Sequence, residues 1–317
     1  MRGGSHRALE IAFWGCLLAV YFLFPGYLSL ATAIAIMALF ALSLDLVLGF
    51  AGIISMGHAM FFGIGAYAAG WLALSGWTEP ISAALVAGIA AAGTAALIGP
   101  YVLRMTGLPL IMVTFVLGLI LFEAANKATD VTGGDNGLSG FKFDTVLGMF
   151  SWSVYGRTEY LYVLTWLFGL FYICKTIVAS PFGLALRGIR ENPVRMAMIG
   201  SPVRLHLLRA YVVSALIAGI AGALSAQTIK FVSLASVSAD TSIFVMVMLV
   251  LGGVGTLYGA IVGAVVYMVV HHFASEWNPY HWMFIIGILL LIVVRIGHGG
   301  ILGIAGRMVR GTGAPAR

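Results

Sequence analysis

Ser55 and His58 stand three residues apart in GFAGIISMGHAMFFGIGAYAAG, Gly49 to Gly70, a stretch apolar enough to lie in a membrane. An i, i+3 pair on a helix shares one face. A hydroxyl and an imidazole so placed could line a polar path for a solute that carries hydrogen-bonding groups. The ordinary alternative is a serine bonded back to its own helix and a histidine bridging to a neighbour. Six glycines, at 49, 52, 57, 63, 65 and 70, share the stretch. Gly49 and Gly52 fall where a helix could break, and Gly63 and Gly70 lie seven apart, where a second helix can approach closely. A second cluster, LVLGGVGTLYGAIVGAVVY from Leu249 to Tyr267, carries Gly252, Gly253 and Gly255. The LVLG of 46–49 recurs at 249–252, each copy followed by a glycine three residues on. Two glycine-broken segments, one in each half of a chain, suit a transporter core. Ser55, His58, Gly63, Gly65, Gly252, Gly253 and Gly255 are therefore the candidate pathway or gating residues.

Other chemistry is sparse. Asp45 falls near the inner end of the second apolar run and Glu123 near the outer end of the fifth. Both are close enough to an interface to be solvated, whereas a proton-coupled carrier needs ionisable groups deep in its spans. His271, His272, Glu276 and His281 gather near one turn without a metal-ligand spacing. No set of nucleophile, base and orienter is present, so the chain reads as a transport component and not an enzyme. It has four lysines and no G-x-x-x-x-G-K-[ST] phosphate loop, so ATP is not bound here in that way and no cofactor is expected in this chain.

The elements that must hold these residues follow from composition. The 317 residues are 61% hydrophobic and 9% charged, with a mean hydropathy of +1.05; a soluble domain carries about 25% charged residues. Many apolar runs reach the roughly 20 residues that cross a bilayer as a helix. The chain reads as one all-α, polytopic membrane domain over residues 1–317. Ten crossings are predicted, near 8–26, 28–48, 52–74, 81–103, 108–126, 159–178, 208–229, 241–256, 257–274 and 281–297. MRGGSHRALE resembles a signal n-region but has no cleavage site after it, and reads as the start of a retained first span, with MRGGSH open to being a leader. Cys16 and Cys174 fall in different spans, which disfavours a disulfide framework.

Lysine and arginine accumulate on the cytoplasmic side of membrane proteins. With the N-terminus inside, that side receives Arg2, Arg7, Arg104, Lys175, Arg187, Arg190, Arg195, Arg204, Arg209, Arg295, Arg307, Arg310 and Arg317. Glu79, Asp130, Asp135, Asp144, Glu159, Asp240 and Glu276 fall outside. Both termini are expected in the cytoplasm. The net charge of +6 then reflects insertion and anionic lipid, with nothing that suggests nucleic acid.

Two connections are long. The external one, 127–158, contains TGGDNGLSG, whose Gly133, Gly134, Asp135 and Asn136 read as an ordered turn or a contact for an external protein. The cytoplasmic one, 179–207, contains FGLALRGIRENPVRMAMIG, long enough for one or two short amphipathic helices. Asn192 can cap and Pro193 can start the second helix, and Gly200 with the following Ser-Pro can end it. The segment could lie on lipid through its arginines, or dock in the groove of a cytoplasmic partner.

SLDLVLGFAGIISMGHAMFFGIGAYAAG, TGGDNGLSG, SPFGLALRGIRENPVRMAMIGSPV, SALIAGIAGALSA and VMVMLVLGGVGTLYGAIVGAVVY together resemble, in order over residues 40–295, the permease subunits of branched-chain amino acid ABC importers, the LivM-like class. The resemblance implies a bacterial inner-membrane complex of this permease, a second homologous permease, two cytoplasmic ATPase subunits that bind ATP and Mg, and an external solute-binding protein. It also implies that 179–207 is the coupling loop, with Arg187, Arg190, Glu191, Arg195 and Gly200 at the ATPase contact. Ala197 and Gly200 fit the acidic-alanine-glycine signature of such loops, while Pro193 and Arg195 depart from it. Relatives of this kind also serve urea, amides or aromatic acids, and composition alone leaves a stand-alone channel or secondary carrier open.

Overall fold

The computed structural model describes residues 3–146, 148, 150–153, 156–278, 281–296 and 300–303. Arg2, Arg307, Arg310, Arg317 and the two termini lie outside the described residues. Thirteen helices are found among them: α1 Gly3–Leu23, α2 Leu28–Asp45, α3 Ala59–Leu74, α4 Pro80–Val102, α5 Leu108–Lys127, α6 Thr129–Thr132, α7 Arg157–Ala179, α8 Pro181–Glu191, α9 Pro193–Met198, α10 Val203–Ile229, α11 Ala239–Gly252, α12 Leu257–Trp277 and α13 Trp282–Ile296. Strand pairing among the described residues is limited to isolated bridges, Leu138 with Val232 and Val146 with Phe150. This composition leaves little else, because a chain in lipid must satisfy its backbone internally.

Six helical segments are long and apolar enough to cross a membrane: Pro25–Phe50, Pro80–Val102, Leu108–Lys127, Arg157–Ala179, Val203–Ile229 and Leu257–Trp277. Four apolar helices are shorter: Glu10–Leu23, Ala59–Leu74, Ala239–Gly252 and Trp282–Val293. The expected span 52–74 is not one helix. α2 runs into a π-helical turn, Leu46–Phe50, and α3 restarts only at Ala59. Gly52 takes a left-handed φ of +74° between them, a conformation that costs glycine nothing.

α10 packs against α3, α4 and α2 at the centre of the bundle. Where lipid surrounds the helices, burial of apolar surface drives them together weakly, and close backbone contact takes over. The contact surface is accordingly made of small residues. A Cβ on Gly65 would overlap the Gly219 carbonyl, one on Gly222 would overlap the Phe62 carbonyl, and one on Gly219 would sit 2.5 Å from the Ala91 methyl. Between α11 and α12, a Cβ on Gly252 would overlap the Gly259 carbonyl and one on Gly263 the Met248 carbonyl, with Gly259 and Gly263 forming a G-x-x-x-G pair.

α4 and α10 also separate two ends of the molecule. At one end, Arg104 after α4 and Arg204 at the start of α10 line a common pocket. At the other, Glu79 caps α4 through the Ser82 amide at 2.7 Å, and the Gln227 amide donates to the Pro80 carbonyl at 2.7 Å. The 127–158 connection closes over this second end. The Thr78 hydroxyl donates to the Asp144 carboxylate, Trp152 donates to the Asp144 carbonyl at 2.7 Å, and Leu138 exchanges both backbone bonds with Val232. Arg104 and Arg204 thus lie at one end, and Glu79 and Asp144 at the other.

Candidate functional site

The break after α2 is stitched residue by residue. The Ile53 amide donates to the Val47 carbonyl at 3.0 Å, and the Met56 amide to Thr114 Oγ1 on α5 at 3.2 Å. The first amide of α3, at Ala59, donates to Ser242 Oγ on α11 at 2.9 Å. Gly57 lies flat against α5, where a Cβ would overlap the Thr114 carbonyl. Across Ala51–Gly57 burial alternates, with Ala51, Ile53, Ser55 and Gly57 inside and Gly52 and Ile54 exposed.

Ser55 and His58 therefore do not share a helical face. Ser55 belongs to the irregular segment before α3, and both side chains are fully buried, so neither lines an open passage in this conformation. His58 is instead the hub of a polar cluster. Its Nε2 lies 3.0 Å from Ser43 Oγ and 3.3 Å from Ser214 Oγ. Ser43 donates its hydroxyl proton to the Phe40 carbonyl at 2.6 Å, and Ser214 donates its own to the Ser43 carbonyl at 2.5 Å. Each hydroxyl has one proton to give, and with both given to carbonyls the two oxygens are acceptors that suit an imidazole proton on Nε2. The ring stacks on Phe40, centroids 5.6 Å apart at 10°. His58 thus pins the start of α3 to α2 and α10, the bridging role that spacing alone left open. His58→Ala should cost roughly 2–4 kcal/mol, the range for emptying a large buried side chain, read as a lower midpoint of thermal unfolding in detergent. His58→Gln, which keeps a donor, should recover part of it; an unchanged midpoint in the alanine variant would contradict the pin.

Gly63 and Gly65 are packing glycines as well, Gly63 against Val237 and Gly65 against α10. The second cluster behaves differently. Gly253 and Gly255 take φ of +119° and +79° after α11, and Gly255 backs on Gly49. LVLG at 46–49 and at 249–252 each closes a helix, and each leads to a left-handed glycine, Gly52 and Gly255. The weak internal likeness in sequence therefore corresponds to a likeness in structure, and the two copies touch.

Asp45 is fully buried and not solvated as its place near a span end suggested. Its Oδ1 accepts the Gly255 amide at 2.6 Å. Glu123 is exposed. His272 lies 3.4 Å from Glu276 Oε1, and His271 meets the Trp282 ring edge-on at 4.5 Å.

The 179–207 segment forms two helices, with the caps expected of it. Ser180 caps α8 through the Gly183 amide at 3.4 Å, and Asn192 caps α9 through the Arg195 amide at 2.9 Å, with Pro193 in the first turn. The Gly200 amide bonds the Ala197 carbonyl, and the Ser201 amide bonds the Met196 carbonyl. With Gly200 at φ +85°, this is a Schellman ending. α8 buries Gly183, Leu186 and Ile189. Arg187 lies over the Phe50 ring at 5.3 Å, and Arg190 donates to the Gly49 carbonyl. Glu191 and Arg195 face outward. All five expected contact residues are exposed; Arg187 and Arg190 in addition reach back to the bundle, at the Phe50 ring and the Gly49 carbonyl.

In the 127–158 connection, Gly133 and Gly134 take φ of +76° and +56°. Gly134 is buried beneath the turn, its amide donating to Thr132 Oγ1 at 3.2 Å. Asp135 and Asn136 are exposed at the tip. An apolar cavity of about 690 Å³ between α7 and this connection, lined by Tyr162, Trp166 and Leu170 among others, is remote from the glycine junction.

Broken helices that meet inside a helical bundle, beneath capped helices at one end, suit the core of a membrane transport subunit. The match of residues 26–294 to the family model "Branched-chain amino acid transport system / permease component" is specific: the chain belongs to that family. It is 29% identical over 294 residues to the "High-affinity branched-chain amino acid transport system permease protein LivM" of Escherichia coli (strain K12), covering 85% of this chain and 68% of the relative. The protein of the same name from Salmonella typhimurium (strain LT2) is 30% identical over 295 residues, with the same coverages. No solved structure matches the chain. Family membership makes this a transport component and not an enzyme, and it does not favour a stand-alone channel or carrier.

Proposed function

We propose that the chain is the permease subunit of an ATP-driven importer of branched-chain amino acids, forming half of the translocation pathway in a bacterial inner membrane. It works with a second homologous permease, two cytoplasmic ATPases that bind ATP and Mg, and an external solute-binding protein. The chain crosses ten times, its six long and four short apolar helices each spanning once, with both termini in the cytoplasm. α8 and α9 are the coupling segment. The Asp135–Asn136 tip meets the binding protein.

The observation that carries this reading is the exposed edge of the broken segment at Ile54, which is 40% exposed, whereas Gly52 lies against Arg190 of α8. Irregular backbone at membrane depth is tolerated only where protein buries it or water lines it, never against lipid. That edge therefore faces the partner permease or the passage between the two. Backbone amides and carbonyls there suit a zwitterion, and Ile54 suits an aliphatic side chain. Neither brings net charge.

Two measurements test this. In liposomes holding the full complex, labelled leucine should accumulate only with ATP; accumulation without ATP or without the ATPases would end the importer reading. Ile54→Cys should react with a membrane-impermeant thiol reagent, at a rate that leucine lowers. Ile54→Trp, whose indole would obstruct the passage at that edge, should reduce uptake at least about tenfold, about 1.4 kcal/mol on the transport barrier, while the complex still assembles. Full uptake by the tryptophan variant would remove Ile54 from the passage.

A further inference from the structure

The inner ends of the two glycine-broken segments meet at one point, and a single side chain from α8 enters it. Gly49 backs directly on Gly255: a Cβ at Gly49 would lie 2.6 Å from the Gly255 nitrogen and 2.8 Å from its Cα. Asp45, one turn earlier, holds the Gly255 amide. Arg190 donates through Nη1 to the Gly49 carbonyl. Its Cγ lies 3.0 Å from the Cβ position of Gly52, and its Nη1 3.2 Å from that of Gly255. One guanidinium side chain therefore touches three glycines, and two of them hold the left-handed φ at which their segments turn.

We infer that Arg190 is the positioning residue that carries movement of α8 into both broken segments. The inference rests on the importer reading, in which the partner ATPases displace α8 and α9. Four features support it. α8 is held to the bundle by Leu186 and Ile189, both buried, so it moves as a lever and not as a loose tether. Gly52 and Gly255 can change φ without the steric penalty that other residues meet. The arginine bond is charge-assisted and directional. The Gly49–Gly255 contact leaves no room for either backbone to shift alone. A pull on Arg190 thus displaces Gly49, and Gly255 moves with it. Arg187, which only stacks on Phe50, transmits far less.

The test uses the complete importer complex in liposomes, with leucine as the solute. The quantity read is leucine moved per ATP hydrolysed, normalised to assembled complex. Arg190→Ala should lower that ratio about tenfold, the effect of losing one charge-assisted hydrogen bond. Arg190→Lys should fall between, because an ammonium can reach the carbonyl but lacks the planar fork. The labelling rate of Ile54→Cys should respond to ATP in the wild-type background and lose that response with Arg190→Ala. An unchanged ratio in Arg190→Ala, or a loss explained wholly by fewer assembled complexes, would overturn the inference while leaving the importer reading intact. A wild-type complex without ATP-dependent uptake would instead remove the importer reading, and this inference with it.

Discussion

Replacing Gly222 by valine is expected to leave no correctly folded protein in the membrane. Gly222 lies on α10, the helix around which α2, α3 and α4 assemble. A Cβ there would overlap the Phe62 carbonyl and lie 2.9 Å from the Ala66 nitrogen. Both are backbone atoms of α3, so no side-chain rotamer can make room. α3 would have to retreat as a unit, and it is fixed at its start by the Ser242 bond to Ala59 and the His58 cluster. Retreat would also open the Gly65–Gly219 contact one turn away. Overpacking costs roughly 1–3 kcal/mol where neighbours can adjust, and here they cannot; helix association in lipid depends on such close approach. Gly93→Val on α4 is the control, since nothing lies within 4 Å of a Cβ at that site. Fluorescence-detected size exclusion of the detergent extract should show a monodisperse peak for Gly93→Val and none for Gly222→Val. A wild-type profile for Gly222→Val would mean that α3 and α10 are not packed as described.

The features that sequence reasoning reached and those it missed differ in the range of the interactions that decide them. The second helix of the 179–207 segment is local: Asn192, Pro193 and Gly200 encode its cap, first turn and ending within nine neighbouring positions, and all three act as their residue types suggest. The helical class is equally direct, because apolar runs of this length leave the backbone no other way to satisfy itself. The break between Leu46 and His58 was harder to see. Its glycines signal a weak point, but hydropathy stays high through it, so an apolar run reads as an unbroken span. Which face of that break is exposed depends on α5, α10 and α11, all distant in sequence. The i, i+3 argument for Ser55 and His58 does not hold for this reason, since it presumes helix where the chain is irregular and α3 begins only at Ala59. Asp45 misled differently. Its place near a span end suggests water, yet Gly255, 210 residues away, covers it. The recurrence of LVLG, slight in so apolar an alphabet, was the one signal that linked those two regions.

Replacing Met198 or Ile199 by aspartate should break the association between this subunit and its ATPases, and Arg195→Ala should weaken it less. Two short helices outside a bundle rarely leave large apolar side chains uncovered without a use. Here Leu184 is 62% exposed, Val194 62%, Met198 81% and Ile199 72%. The residues facing the other way, Leu186 and Ile189, already hold α8 to the bundle, so the exposed set is not needed for folding. It fits a groove on a partner, with Arg195 and Glu191 at its edge. Buried apolar anchors carry most of the energy of such contacts, about 2 kcal/mol or more at a hot spot, roughly a 30-fold change in affinity. Rim charges contribute less, near 1 kcal/mol. Arg190→Ala, whose guanidinium is turned to Gly49, should leave association near wild type, whereas Glu191→Ala should reduce it slightly. Co-purification of tagged permease with the ATPases, titrated by salt, measures all five variants. If α8 and α9 instead lay on lipid, the aspartate variants would keep their ATPases and lose only membrane contact. That result would move the coupling contact elsewhere on the cytoplasmic face.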